Sequence, residues 1–198
     1  MHPSRARAEV TLFPAGKVPG AVPGTPNSEY WVNKTTRSGY IARQKHNVTV
    51  PTILPFLVDS SSCPAGGCPA VVIAPGGAYK ILSYNMEGTD VAERFNAMGV
   101  SAFVLKYRVP QPAVEPGVKG HDTFGWAALM DAQRAMGIVR QRAAEWKIDP
   151  TKVGFNGFSA GGHLAVHITT AWGERTYPHV DEARPEQNPR PALCGAHS

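Results

Sequence analysis

Between Lys152 and Trp172 the chain reads KVGFNGFSAGGHLAVHITTAW, and at its centre Ser159 stands between glycines in the order Gly157-Phe158-Ser159-Ala160-Gly161. A serine hydroxyl is a weak nucleophile until it is lifted clear of its neighbours and given a base. A strand-to-helix turn with glycines on both sides of the serine does the lifting, because such a turn is too tight for larger side chains there. It also sets the hydroxyl at a helix N-terminus, whose dipole favours developing negative charge. G-x-S-x-G alone is a common pattern. Its weight here comes from the apolar strand pattern before it and the apolar helix pattern after it.

A second turn, APGGAY (74–79), directly follows a short, continuously apolar run. Gly76-Gly77-Ala78 carries almost no side chain, so its backbone N–H groups can approach a substrate oxygen. Acyl transfer needs such donors for the tetrahedral oxyanion, each worth about 3 kcal/mol in the transition state. The N–H of Ala160, the residue after the serine, would be a further donor. A plain glycine turn is the alternative for each motif taken singly; together they favour an oxyanion site.

The elements that must position these turns are legible as a series. NVTVPTILPFLV (47–58) reads as a strand broken near Pro55. AVVIAP (70–75) and SAFVLKY (101–107) read as strands buried on both faces, and KVGFN (152–156) as a further strand. Val91, Phe95 and Met98 fall on one face of a helix over 88–100, with Gly99 as its stop. Ala128, Ala132, Ala135, Val139, Ala143 and Trp146 advance by three and four through a helix spanning 124–146. A last helix runs from about 160 to 172, with Leu164, Ile168 and Ala171 on one face. Alternating strands and helices predict an α/β fold, a largely parallel sheet with helices on both faces. Ligands of such sheets bind at the carboxyl ends of strands, where both turns lie. The expected organisation is a loop-rich arm over 1–45, the α/β core over 46–172, and an irregular proline-rich tail over 173–198.

The sequence resembles the α/β-hydrolase superfamily of the esterase/lipase type, close to the small carbohydrate-ester and acetyl-xylan esterase-like group. The residues that carry the resemblance are Pro75-Gly76-Gly77-Ala78-Tyr79, Glu87-Gly88, FVLKYR (103–108), DAQRA (131–135) and IDPTKVGFNGFSAGGH (148–163), covering roughly 48–172. It implies an α/β-hydrolase fold, Ser159 as nucleophile, and Gly77, Ala78 and Ala160 as backbone oxyanion donors. Ala78 stands where many relatives carry a third glycine. The implied activity is cleavage of small carboxylic esters, acetylated carbohydrates among them, through an acyl-enzyme. Neither cofactor nor metal is required; formamide or peptide cleavage stays open as a variant.

The family's triad runs nucleophile, acid, histidine, with the last two on loops after later strands. After Trp172 no strand-length apolar run follows, although Pro191-Ala192-Leu193-Cys194 reads as the beginning of a strand. The fold is therefore expected to be incomplete here, with acid and base beyond residue 198. The rival expectation is a truncated, inactive fragment. Asp181 and His197 follow Ser159 in the required order, but with no strands to hold them. His163 lies one turn past the serine and reads as structural, His167 as helix surface or core, and His121 as a loop residue beside the pocket.

Composition excludes several classes. With 42% apolar and 18% charged residues, the chain reads as a soluble globular domain rather than a disordered one. Its formal charge of +5 is spread along the N-terminal part without a basic helix or interleaved aromatics, so nucleic-acid binding is not expected. No run approaches bilayer-spanning length, and the N-terminus lacks the apolar segment of a secretory signal. Yet Cys63 and Cys68 in CPAGGC would close a short disulfide loop if exported, and Asn33 and Asn47 begin N-x-T sequons. Compartment stays open, and nothing in the sequence speaks to oligomeric state. The spacing of Cys and His offers no four-ligand metal site.

Overall fold

A computed structural model describes residues 8–21, 27–110, 124–178 and 190–197. Its strands are β1 (Val10–Thr11), β2 (Tyr30–Thr35), β3 (Ile41–His46), β4 (Thr52–Phe56), β5 (Cys68–Ala74), β6 (Ile81–Ser83), β7 (Ser101–Lys106), β8 (Ile148–Phe158) and β9 (Cys194–His197). Its helices are α1 (Asp90–Ala97), α2 (Trp126–Gln141), α3 (Ala143–Trp146) and α4 (Ala160–Thr170). The main sheet has the order β1-β4-β7-β5-β8-β9, and a second sheet has the order β2-β3-β6. In the main sheet β5 pairs in parallel with β7 and β8, and β8 with β9, while β4 and β1 extend one side antiparallel.

The strand order places the helices. From β5 the chain crosses through α1 to β7 on one side; from β7 it returns through α2, past β5, to β8. Right-handed crossovers in opposite directions put α1 and α2 on opposite faces of the sheet. The step from β8 through α4 to β9 continues in the second direction, so α4 lies on the α2 face, where the two helices pack together. The core is the sheet interior, with Val72, Ile73, Phe103, Val104, Leu105, Val153 and Phe155 sealed from solvent. The continuous apolar runs become the central strands β5 and β7, as two-sided burial requires. The fold is that of an α/β-hydrolase.

Three sequence expectations are corrected. The stretch 1–45 is not simply a loop-rich arm: β1 joins the main sheet, and β2 and β3 form a hairpin that pairs onward to β6. Its turn closes through Thr36 N–H to Tyr40 O and Gly39 N–H to Thr36 O, with Gly39 at φ 80°. Pro55 does not break β4, which continues opposite Phe103 on β7. Among the described residues β1 covers only Thr52 and Ile53 and nothing pairs with β4 beyond them on that side, where a residue without N–H is tolerated. In the stretch 173–198, Cys194–His197 forms β9 alongside Phe155–Phe158, so the apolar Leu193-Cys194 does lead into a strand.

The hairpin is tied down by a buried charge cluster. Glu29, just before β2, receives Lys106 Nζ at 2.8 Å and Lys45 Nζ at 3.3 Å, plus the N–H groups of Thr49 and Val50. Burial pushes the Glu29 carboxyl up, but the hydrogen bonds from Lys106 and Val50 and the Lys106 charge outweigh it and hold the group below its ordinary range. A carboxyl lowered on folding stabilises the protein above its unfolded value, and that contribution disappears as the pH falls through the folded value. Glu29→Gln is therefore expected to lower Tm by roughly 5 °C near neutrality. The gap from wild type should close as thermal melts are taken from about pH 6 to about pH 3.

Cys63 and Cys68 are joined as a disulfide across the Pro64–Gly67 turn, with Cα atoms 4.8 Å apart. Cys194 is a free thiol whose Sγ meets Ala165 O.

Candidate active site

Ser159 sits between the last residue of β8 and the first of α4, with φ 50° and ψ −115°. For an L-residue this is a strained conformation, and it leaves the serine exposed at the sheet's carboxyl end. The flanking glycines are demanded by contact. A Cβ on Gly157 would lie 1.9 Å from Gly161 O, and one on Gly161 would lie 2.0 Å from Ala74 O and 2.9 Å from Pro75 O. The serine turn is thus pressed against the end of β5, where the second turn begins.

That second turn has φ 135° at Gly77, 54° at Ala78 and 57° at Tyr79. Its peptide planes are fixed one by one. Pro75 O accepts from Tyr107 Oη at 2.7 Å, and the N–H of the same plane, on Gly76, donates to Glu87 Oε2 at 2.7 Å. Gly76 O accepts from Ser83 N at 2.9 Å, and Gly77 O from Lys80 N and Ile81 N. With those carbonyls pinned, the N–H groups of Gly77 and Ala78 face away from their acceptor-bound oxygens. Among the described residues neither they nor the Ala160 N–H donates to a protein acceptor. A Cβ on Gly76 would lie 2.9 Å from Ser159 Cβ, so turn and serine are immediate neighbours. Ala78 adopts positive φ at 54° and is exposed.

Tyr79 links the two turns from the side. Its hydroxyl lies 2.9 Å from His163 Nδ1 on α4, and its buried ring packs edge-on to Tyr107 and Phe124. Burial pushes the Tyr79 phenol well above its ordinary range, so it keeps its proton. Gly125, at φ 82°, lies under this ring; a Cβ there would be 3.2 Å from Tyr79 Cζ. His163, one turn past the serine, is thus engaged with Tyr79 through Nδ1. Tyr79, Tyr107 and Glu87 were not singled out from the sequence as supports. The signal for Glu87 was its place in Glu87-Gly88, downstream of the glycine turn.

The downstream histidine is also placed. His197, on β9, accepts the Ser159 N–H through its backbone oxygen at 2.7 Å, while its ring stacks on Phe158. Its Nε2 lies 2.9 Å from Asn156 Oδ1. Among the described residues no imidazole or carboxylate is hydrogen-bonded to the Ser159 side chain; His121 and Asp181 lie outside them. Among the described residues there is no group of three or more His, Cys, Asp or Glu that could hold a metal ion, and no helix long and apolar enough to cross a membrane.

Residues 61–188 match the family model BD-FAE, which takes in more than half of the chain. The chain belongs to the BD-FAE family. Among relatives of this BD-FAE chain, an acetylxylan esterase of Xylanibacter ruminicola is 39% identical over 101 residues, covering 51% of this chain and 19% of that protein. An endo-1,4-beta-xylanase B of Butyrivibrio fibrisolvens is 35% identical over 102 residues, 50% of this chain and 15% of that protein. An acetyl ester-xyloside bifunctional hydrolase from Caldicellulosiruptor lactoaceticus superposes with a TM-score of 0.62 at 28% identity, covering 93% of this chain and 54% of that one. MGS-M1, an α/β hydrolase from a Medee basin deep-sea metagenome library, superposes at 0.51 with 27% identity, covering 72% and 52%. The chain thus spans about half the length of these solved structures and under a fifth of the two curated relatives.

Proposed function

We propose that this BD-FAE chain carries the nucleophile and oxyanion site of a serine carboxylic ester hydrolase acting on small, acetylated carbohydrate esters. The observation behind the reading is the contact of the two turns: a strained, exposed serine beside a turn whose Gly77 and Ala78 N–H groups have no acceptor among the described residues. Ser159 Oγ attacks the ester carbonyl, and the oxygen becomes an oxyanion held by the N–H groups of Gly77, Ala78 and Ala160. Collapse expels the sugar alcohol and leaves an acetyl-serine; water then attacks it and releases acetate. A histidine takes the serine proton and returns it to the leaving alcohol. The acetyl and xylan preference rests on the names of the relatives.

A second reading, a hydrolase fold without a working base, is favoured by the engagement of His197 Nε2 with Asn156. One experiment separates the two. The protein is treated with a fluorophosphonate probe, the adduct is mapped by peptide mass, and p-nitrophenyl acetate turnover is measured alongside. An adduct on Ser159 with turnover above background is expected. An adduct on another residue overturns the assignment of Ser159, and no adduct and no turnover favours the second reading.

A further inference from the structure

We infer that Glu87 is a positioning residue for the oxyanion turn, acting through the Gly76 N–H; the inference rests on the esterase reading of that turn. Glu87 takes no part in the mechanism above. Its carboxylate nevertheless lies at the reacting end of the sheet. A Cβ on Gly76 would sit 2.7 Å from Glu87 Oε2 and 2.9 Å from Ser159 Cβ, so the acid and the nucleophile flank the same point. Among the described residues Glu87 has no cationic partner, and its hydrogen bond is the one from Gly76 N–H at 2.7 Å. A half-buried carboxylate that gives up hydration for one backbone N–H makes a short, charge-assisted bond, about twice the strength of a neutral one.

The delivery of this carboxylate is built into the fold. Glu87 lies in a single π-helical turn, Asn85–Thr89, where Thr89 N–H reaches back to Tyr84 O. Such turns carry an extra residue and concentrate at functional sites. The turn is clamped to the small sheet, because Asn85 accepts from Arg43 N–H at 2.7 Å and donates to Ile41 O at 2.9 Å. It is also packed on the oxyanion turn itself: a Cβ on Gly88 would meet Val104 Cγ1 at 2.9 Å and Pro75 Cγ at 3.3 Å. The β2-β3-β6 sheet therefore has a task, which is to hold Glu87 against Gly76. Tyr107 grips the carbonyl of the Pro75–Gly76 plane and Glu87 grips its N–H. The planes that follow carry the Gly77 and Ala78 donors, so their aim depends on this one.

The test uses the full chain as wild type, Glu87→Gln and Glu87→Ala. In a proton–nitrogen NMR spectrum the Gly76 amide, donating to a carboxylate, is expected downfield, and to move upfield in both variants. Inactivation by the fluorophosphonate is followed as a maximal rate and a half-saturating concentration. Glu87→Ala should lower the maximal rate on the order of tenfold to hundredfold, the scale of a misaimed donor, with half-saturation unchanged. Glu87→Gln keeps an acceptor oxygen and should restore the rate to within about threefold of wild type. A Gly76 amide that does not respond, or Glu87→Ala labelling at the wild-type rate, overturns the inference. If wild type is not labelled at Ser159 while the Gly76 amide does respond, the esterase reading has failed and the Glu87 contact stands as structure alone.

Discussion

Ser159→Ala is expected to remove fluorophosphonate labelling and to lower ester turnover by at least about 10⁴-fold, with Tm unchanged. Ser159→Gly should be as inactive and yet more stable than either. The reason is the backbone: φ 50° with ψ −115° costs a residue with a Cβ about 1–3 kcal/mol. Alanine keeps the Cβ and so keeps the strain. Glycine reaches this conformation freely, and against that gain stands its greater unfolded-state entropy of about 0.5–1 kcal/mol. A net gain of about 1 kcal/mol is expected, or roughly 3 °C in Tm for a chain of this size. The serine is exposed and its side chain is small, so few contacts are lost in either variant. Urea and thermal melts of the three proteins check it. Ser159→Gly less stable than Ser159→Ala would show that the turn is not strained and that the serine is not held there for chemistry.

Both glycine turns were legible in the sequence because glycine at a crowded turn has a steric cause, and Gly157 and Gly161 do meet backbone atoms there. The central strands were legible because burial on both faces leaves unbroken apolar runs at 70–75 and 101–107. The small sheet was not. In β2 most residues are exposed, so Tyr30–Thr35 lacks the apolar alternation of a half-buried strand. What holds it is a cluster of charges, Glu29 with Lys45 and Lys106, joined across 77 residues. Glu87 was visible only as part of Glu87-Gly88, without a role. Its partner is a backbone N–H eleven residues earlier, a contact that residue types alone do not reveal.

The buried pair Arg108–Asp131 carries the second large prediction. Asp131, on α2, is sealed from solvent and accepts Arg108 Nε at 3.0 Å, Nη2 at 2.8 Å and the Arg108 backbone N–H at 2.9 Å. Arg108 also donates to Ala127 O and Pro19 O. Burial pushes the Asp131 carboxyl up, and the charge and hydrogen bonds of Arg108 only partly oppose it. Arg108→Met removes that opposition and leaves a buried carboxyl without its cation, a loss of about 3–5 kcal/mol near neutrality. A carboxyl raised on folding is favourable to the folded state below its unfolded value, and that advantage is lost as pH rises through the folded value. The deficit of Arg108→Met relative to wild type should therefore grow from about pH 4 to about pH 8 in urea titrations. Adding Asp131→Asn removes the stranded charge but keeps an oxygen for the residue-108 N–H, so the double variant should recover a large part of the loss and flatten its pH dependence. The effect should also reach the proposed active site. Arg108 adjoins Tyr107, whose hydroxyl pins Pro75 O at the base of the Gly76-Gly77-Ala78 turn. Arg108→Met should therefore label at Ser159 more slowly than wild type even where melts show it fully folded, and the double variant should label faster than the single.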